Sequence, residues 1–315
     1  MKKQLIPLIA GSLLLAVTSH LPAADEAFAE AERRVAEVIG TGDIMLDLSG
    51  LGELDRIPPE IAQAEGLIGF NANDTAIDDL CPLSSLASLS IVSVAGTLVS
   101  DLSPLDGREG LQSLYARNSA VEDLEPLSEL RSVQTLDLAN TSVTDITPLS
   151  NLTGLRELDL SDTAVSDLSP LAGLGDLQRL SLNSTNVENI APLEGLTALQ
   201  NLGLIDTIVD DISVVLEMVE LRFLSLMETG VSDLSPLSDI QTLESLWVNE
   251  TPVSDLAPLS GLENLRTLRI DHTAVTDLTP LAGMASLERL TMSGTDIDNV
   301  DALSGIDGLQ VTGGP

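Results

Sequence analysis

Residues 155–176 read LRELDLSDTAVSDLSPLAGLGD, and residues 177–198 carry the same frame as LQRLSLNSTNVENIAPLEGLTA. That frame, Leu-x-x-Leu-x-Leu-x-x-Thr-x-Val-x-Asp-Leu-x-Pro-Leu-x-x-Leu-x-x, is written eleven times without a gap. The copies start at Leu67, Leu89, Leu111, Val133, Leu155, Leu177, Leu199, Leu221, Leu243, Leu265 and Leu287. A supersecondary unit repeated at a fixed short period cannot bury its apolar edge alone; it must stack on its neighbours. The expectation is one elongated coil over residues 67–308, with no separate catalytic domain in that stretch.

Leu-x-x-Leu-x-Leu at the head of a repeat of this length is the leucine-rich-repeat signature. Numbering each repeat from its first leucine, the alternation at positions 4 and 6 predicts a short strand whose odd neighbours face outward, as in Leu246-Trp247-Val248. Stacked strands form a parallel sheet on the concave face. At roughly 4.8 Å per strand, eleven of them span about 50 Å, the scale of a protein partner. The second half, Asp-Leu-Ser-Pro-Leu, predicts a short 3-10 or irregular turn on the convex side. Proline is expected to open that turn and the preceding Ser or Thr to cap it. The fold class is therefore an α/β leucine-rich-repeat solenoid. Val214 and Ala302 replace the proline in the repeats from Leu199 and Leu287, where altered turns are expected.

Two polar columns run through the repeats: a hydroxyl at position 9 (Thr75 to Thr295, with Ser119 the one serine) and Asp or Asn at position 13, beginning with Asp79. Both are expected to satisfy backbone N–H groups where the chain leaves the sheet. Calcium is not expected at the acidic column, because Gly-Gly-x-Gly-x-Asp repeats are absent. Neither a metal nor a cofactor is expected.

The flanks differ. Met1-Lys2-Lys3 and the apolar run Leu5 to Val17 have the layout of a secretory leader, residues 1–24, with the cut expected between 23 and 29. Residues 25–66 are expected to form an N-terminal cap: an amphipathic helix over Asp25 to Gly40 and an irregular first repeat. Residues 309–315 make a short C-terminal tail whose apolar end is a candidate surface for self-association. No long apolar segment other than the leader occurs, so the product is expected to be exported, periplasmic or extracellular, without membrane insertion. Cys81 is the single cysteine, so no disulfide forms within the chain.

The formal charge is −35, and removal of the leader takes both lysines, leaving twelve arginines against 49 acids, or −37. Nucleic acid is excluded by repulsion. A saline habitat, a GC-rich genome and a cationic partner all remain open as the reason for the acidity.

The repeats resemble those of internalins, secreted and surface leucine-rich-repeat proteins of Gram-positive bacteria, whose coil reads Leu-x-x-Leu-x-Leu-x-x-Asn-x-Ile-x-Asp-Ile-x-Pro-Leu. The resemblance covers residues 67–308. Thr stands here for the corner Asn and Val-x-Asp-Leu for Ile-x-Asp-Ile, and the immunoglobulin-like domain and wall-anchoring signal are missing. The resemblance implies the solenoid fold and does not imply host-cell invasion.

Binding must be read from outward positions, which the repeat leaves free. Tyr115 and Trp247, the sole Tyr and Trp, both take position 5, and Phe223 takes position 3. With Ile205 and Met227 at position 7, Phe223 and Trp247 are expected to form one exposed apolar patch. Seven of the twelve arginines fall on outward or flanking positions. Of these, Arg222, Arg266 and Arg269, joined by His272, form the expected polar rim; Arg117 and Arg179 extend the footprint toward Tyr115. The partner is expected to be a protein. A glycan or envelope polymer and a self-assembling structural role are the alternatives. Catalysis is not expected: His272 and Cys81 lie about nine coils apart, and acid pairs such as Asp137 with Asp159 arise by chance among 49 carboxylates.

Overall fold

A computed structural model describes residues 22–314. Thirteen strands form one parallel sheet in strict sequence order. They run from β1 (Met45–Asp47) and β2 (Gly69–Asn71), at 22-residue intervals, to β12 (Arg289–Thr291), and end with β13 (Gln310–Thr312). Each strand is three residues long, and from β1 to β12 its central residue, leucine in all but Phe70 and Val92, is buried. On the opposite side the chain returns through 3-10 turns such as Ser169–Leu171 and Ser235–Leu237. The solenoid expected from the period is the solenoid observed. The leader, residues 1–24, falls almost wholly outside the described residues.

Helix α1 (Ala23–Thr41) starts two residues before the expected Asp25 and ends one after Gly40, where Gly42 takes a left-handed φ of 73° and donates to the Val38 carbonyl. Ala31, Val35 and Val38 are its buried stripe, laid against β1 and the 3-10 turn Pro59–Gln63. At the other end β13 pairs only with β12, and all three of its residues are exposed.

The core is a stack of leucines, and its geometry depends on what happens where the chain leaves it. After the strand, the position-6 residue is buried and its carbonyl points inward. In all eleven repeats the position-9 hydroxyl donates to that carbonyl, from Thr75 on Ala72 to Thr295 on Met292, at 2.5–2.8 Å. The expectation that these hydroxyls serve N–H groups is corrected: they are donors to an otherwise orphaned acceptor, the group a buried exit from a sheet leaves unpaired.

The acidic column does serve N–H groups. Asp167 accepts the backbone N–H of Ser169 at 2.9 Å, and the same bond recurs from Asp79 to Asp277, with Asn189 doing the same for Ala191. The cap of the convex turn is thus this carboxylate. Ser or Thr before the proline is already the first residue of the turn, and proline is the second. The Ser169 backbone N–H, and then its hydroxyl, hold the Asp167 carboxyl below its ordinary value, as Ser103 does for Asp101 and Ser235 for Asp233. A depressed folded value means this contribution is fully present above the ordinary carboxylate range and is lost as pH falls. Without proline, the turn of the Leu199 repeat lengthens to Ser213–Glu217. Thr147–Asn151 is as long and keeps Pro148, so proline alone does not set turn length.

One column escaped the sequence reading. Position 8 is left-handed in every repeat: Asp74, Asn118, Asn140, Asp162, Ser184, Asp206, Glu228, Glu250 and His272 have φ of 53–58°, and Gly96 and Gly294 have 68° and 69°. In the ten repeats up to His272 its N–H donates to the position-7 carbonyl of the next coil, as His272 does to Ser293 at 2.8 Å, and the reversed φ then swings the chain inward toward the position-9 hydroxyl. Gly294 also makes room for the His272 imidazole, which a Cβ at 294 would meet at 2.3 Å.

Two expected outcomes test these corners. Thr185→Val keeps the shape and strands the Leu182 carbonyl, so chemical denaturation should show a loss of about 1–2 kcal/mol, whereas Thr185→Ser should be near neutral. Glu250→Val should cost about 1–2 kcal/mol through the left-handed backbone, and Glu250→Gly should be tolerated, read from the same unfolding curves.

Candidate functional site

The outward odd positions of consecutive strands form rows along the concave sheet. Position 5 reads Tyr115, Asp137, Asp159, Ser181, Gly203, Ser225, Trp247 and Arg269 from β4 (Ser113–Tyr115) to β11 (Thr267–Arg269). Large rings at 115 and 247 enclose a run of small residues, and the result is a groove of about 460 Å³. Its far wall is built by Ile205, Phe223 and Trp247; its near wall by Tyr115, Asp137 and Asp159, with Glu157 and Arg179 alongside.

The aromatic end is packed. Phe223 and Trp247 meet edge to face, ring centres 4.9 Å apart, and the Arg269 guanidinium stacks on the indole 4.1 Å from its centre. This order follows from register: Trp247 sits beside Ser225 on one neighbouring strand and Arg269 on the other. Stacked aromatics and arginine of this kind dominate interface energetics. Ser225 is fully buried beneath them. Four buried polar side-chain atoms have no hydrogen-bond partner among the described residues: Ser225 Oγ, Trp247 Nε1, Asn249 Oδ1 and Arg269 Nε, all on three consecutive coils.

The acidic end is built differently. Asp137 and Asp159 are register partners on adjacent strands. Through one oxygen each accepts the N–H two residues on, from Ala139 at 3.2 Å and from Ser161 at 2.9 Å. The second Asp137 oxygen has only the Arg117 guanidinium, at 4.0 Å. Burial, with Asp159 adding repulsion, pushes the Asp137 carboxyl above its ordinary value. Glu157 is already engaged by Arg179.

The sequence-derived footprint divides. Tyr115, Arg179, Ile205, Phe223 and Trp247 come together as walls of one groove. Met227, placed with them by spacing, is partly exposed on the same face but does not line the groove. Arg222 and Arg266 stand at position 2 in an alternating row with glutamates, Arg222 to Glu244 at 2.7 Å and Arg266 to Glu288 at 2.5 Å. Exposed pairs of this sort contribute little stability. His272 lies at the left-handed corner, beside the sheet rather than on it. Asp137, Asp159, Ser181, Gly203 and Ser225 were missed as a set. The signal was a run of small position-5 residues between two large ones. Cys81 is exposed on the convex side, where the hydrogen bond to Asp79 and its charge push the thiol upward, away from the reactive thiolate. No group of three or more metal-ligating side chains occurs among the described residues, and no described helix is long and apolar enough to cross a membrane.

Comparison with known proteins agrees with the fold. Residues 131–173 match the family described as leucine-rich repeats (2 copies). Chain and fold together define an internalin-like leucine-rich-repeat solenoid. Among solved structures it is similar to an internalin, InlF, from Listeria monocytogenes, with a TM-score of 0.80 at 23% identity over 94% of this chain and 98% of that one. A leucine-rich-repeat protein of Leptospira interrogans superposes with a TM-score of 0.74 at 18% identity, covering 88% of this chain and 79% of its own. The ectodomain of the Arabidopsis thaliana receptor kinase GASSHO1/SCHENGEN3, in complex with CASPARIAN STRIP INTEGRITY FACTOR 2, gives 0.69 at 21% identity, with 85% of this chain and 38% of that one covered. No curated protein matches the sequence.

Trp247, the sole tryptophan, reports on its own surroundings. Arg269→Ala should shift its emission to longer wavelength and quicken quenching by acrylamide, while lowering stability by only about 0.5–1 kcal/mol. Unchanged emission would mean that the guanidinium does not cover the ring.

Proposed function

We propose that this chain is an exported, non-catalytic recognition protein that binds a protein partner along its concave face. The observation that carries the reading is the packed Phe223–Trp247–Arg269 cluster, set on the outward sheet face, where the repeat does not dictate the residue type. Anchors of this composition beside a groove are what protein interfaces use. In the Arabidopsis complex a leucine-rich-repeat ectodomain of similar fold holds a partner, which supports the same use here. The glycan alternative is weaker at this end, because Arg269 already covers one face of the indole on which a sugar ring would stack.

Export is read from the leader. A cut at the earlier alanines, Ala23 or Ala24, leaves α1 essentially whole. A cut after Ala29 would remove Phe28, whose ring lies 4.1 Å from the Arg56 guanidinium and packs against the core. The earlier cut is therefore favoured.

The test is affinity capture from native envelope and culture supernatant, with the mature wild type beside Phe223→Ala plus Trp247→Ala and a convex-face control, Leu216→Ala. The expected result is a protein retained by wild type and control and lost by the double variant, whose circular-dichroism spectrum stays that of the folded coil while loss of the ring pair lowers its melting temperature. A partner held equally by all three would place recognition elsewhere.

A further inference from the structure

The groove has unlike ends, and its unmet polar groups specify what would fill it. At the aromatic end, the Ser225 hydroxyl and the Trp247 indole N–H are buried without partners, although both belong to residues that line the groove. Buried polar groups are almost always paired, so these two are waiting for an acceptor and a donor that the chain does not supply. Between the ends the floor is Ser181, Gly203 and Ser225, shallow enough for a backbone to lie close. Asn183 reaches across this floor to accept the Ile205 N–H at 2.9 Å, which keeps the floor rigid. At the acidic end, Asp137 and Asp159 stand side by side, and one cation, Arg117, reaches only Asp137 and only weakly, in a chain of formal charge −35.

The length fits an extended peptide. Tyr115 and Trp247 are six strand steps apart, roughly 29 Å at about 4.8 Å per step, which about eight or nine extended residues would cover. A neutral sugar polymer would leave the carboxylate pair uncompensated, and an anionic polymer would be repelled by it. A peptide brings what both ends lack: a main chain with carbonyls and N–H groups for Trp247 and Ser225, and side chains of which one can be cationic.

Resting on the reading that the concave face binds protein, we propose that the groove holds an extended basic segment of the partner. Its lysine or arginine side chain sits on Asp137 and Asp159, an apolar side chain packs on Ile205 and Phe223, and a main-chain carbonyl accepts the Trp247 N–H. The relief of the Asp137 carboxyl by an incoming cation agrees with its upward shift.

The test uses the full mature protein and defined probes. A phage-displayed random 12-mer library is selected on wild type and counter-selected on Phe223→Ala plus Ile205→Ser. Winning peptides are synthesised and titrated by Trp247 emission and calorimetry. Expected winners are enriched in Arg or Lys and shift the emission. They bind at least tenfold more weakly when arginine is replaced by citrulline or lysine by norleucine, and at least tenfold more weakly to Asp137→Asn plus Asp159→Asn. Asparagine keeps the oxygen that accepts the Ala139 and Ser161 N–H groups, and a circular-dichroism melt checks that the coil is retained. Winners that need Phe223 but are indifferent to citrulline, norleucine and the Asn pair would overturn the basic-peptide inference and leave concave-face recognition standing. Winners that move neither Trp247 nor the Phe223 variant would overturn both. An emission shift and calorimetric binding by chitohexaose, with no peptide selected, would also overturn both and assign the groove to sugar.

Discussion

The bond on which this solenoid depends is the short one from the position-9 hydroxyl to the position-6 carbonyl. A strand of three residues leaves the sheet almost as soon as it enters, and its exit is buried under the next coil. Burial keeps solvent from the inward carbonyl, so the side chain three residues on must pair with it. Threonine is suited to this because its β-branch fills the corner while its hydroxyl donates. The internalin-type coil puts asparagine at this place; here a smaller donor does the work within its own coil. The left-handed residue just before it reverses the chain, and the aspartate four residues after it starts the convex turn. Three adjacent backbone problems are thus solved at three successive columns, two by side chains and one by a left-handed backbone.

Inward positions answer to that scaffold, and outward ones do not. This is why the concave face can carry so uneven a row as Asp137, Asp159, Ser181, Gly203, Ser225 and Trp247 while the leucine beneath each remains unchanged. The same freedom explains the alternating Arg and Glu row at position 2. Charges of opposite sign on strands about 4.8 Å apart neutralise one another, so Arg222 and Arg266 are engaged within the chain and are weaker candidates for the partner than Arg269, whose charge lies on an aromatic ring.

The architecture was legible because periodicity is a property of the sequence alone: strand, turn and cap helix all follow from counting. Direction of hydrogen bonding was not. A column of threonines says that a corner is polar, and only the folded carbonyl says who donates. The left-handed column was hidden by its own variety, since Asp, Asn, Ser, Glu and His occupy it as well as Gly96 and Gly294. For the site, spacing found the large residues, Tyr115, Phe223 and Trp247, and passed over the small ones between them. A groove is made by what is missing from a row, and Ser181, Gly203 and Ser225 become conspicuous only when their neighbours stand on either side. Asp137 and Asp159, dismissed as a chance pair in an acidic chain, acquire meaning from the orphaned groups at the other end of the same hollow.

The two ends of the sheet are unequal. Strand β1 lies under a nineteen-residue helix that buries three side chains on the first coil, while β13 offers a bare edge with every residue in water. In a stack where each coil touches only its neighbours, stability is passed from unit to unit and the terminal unit has half the support of any other. Among the described residues, then, the first coil is secured by the helix and the last is held by β12 alone. A partner seated across β4 to β11 would bridge eight of those coils at once, acting as a splint that ties together units which otherwise touch only their neighbours.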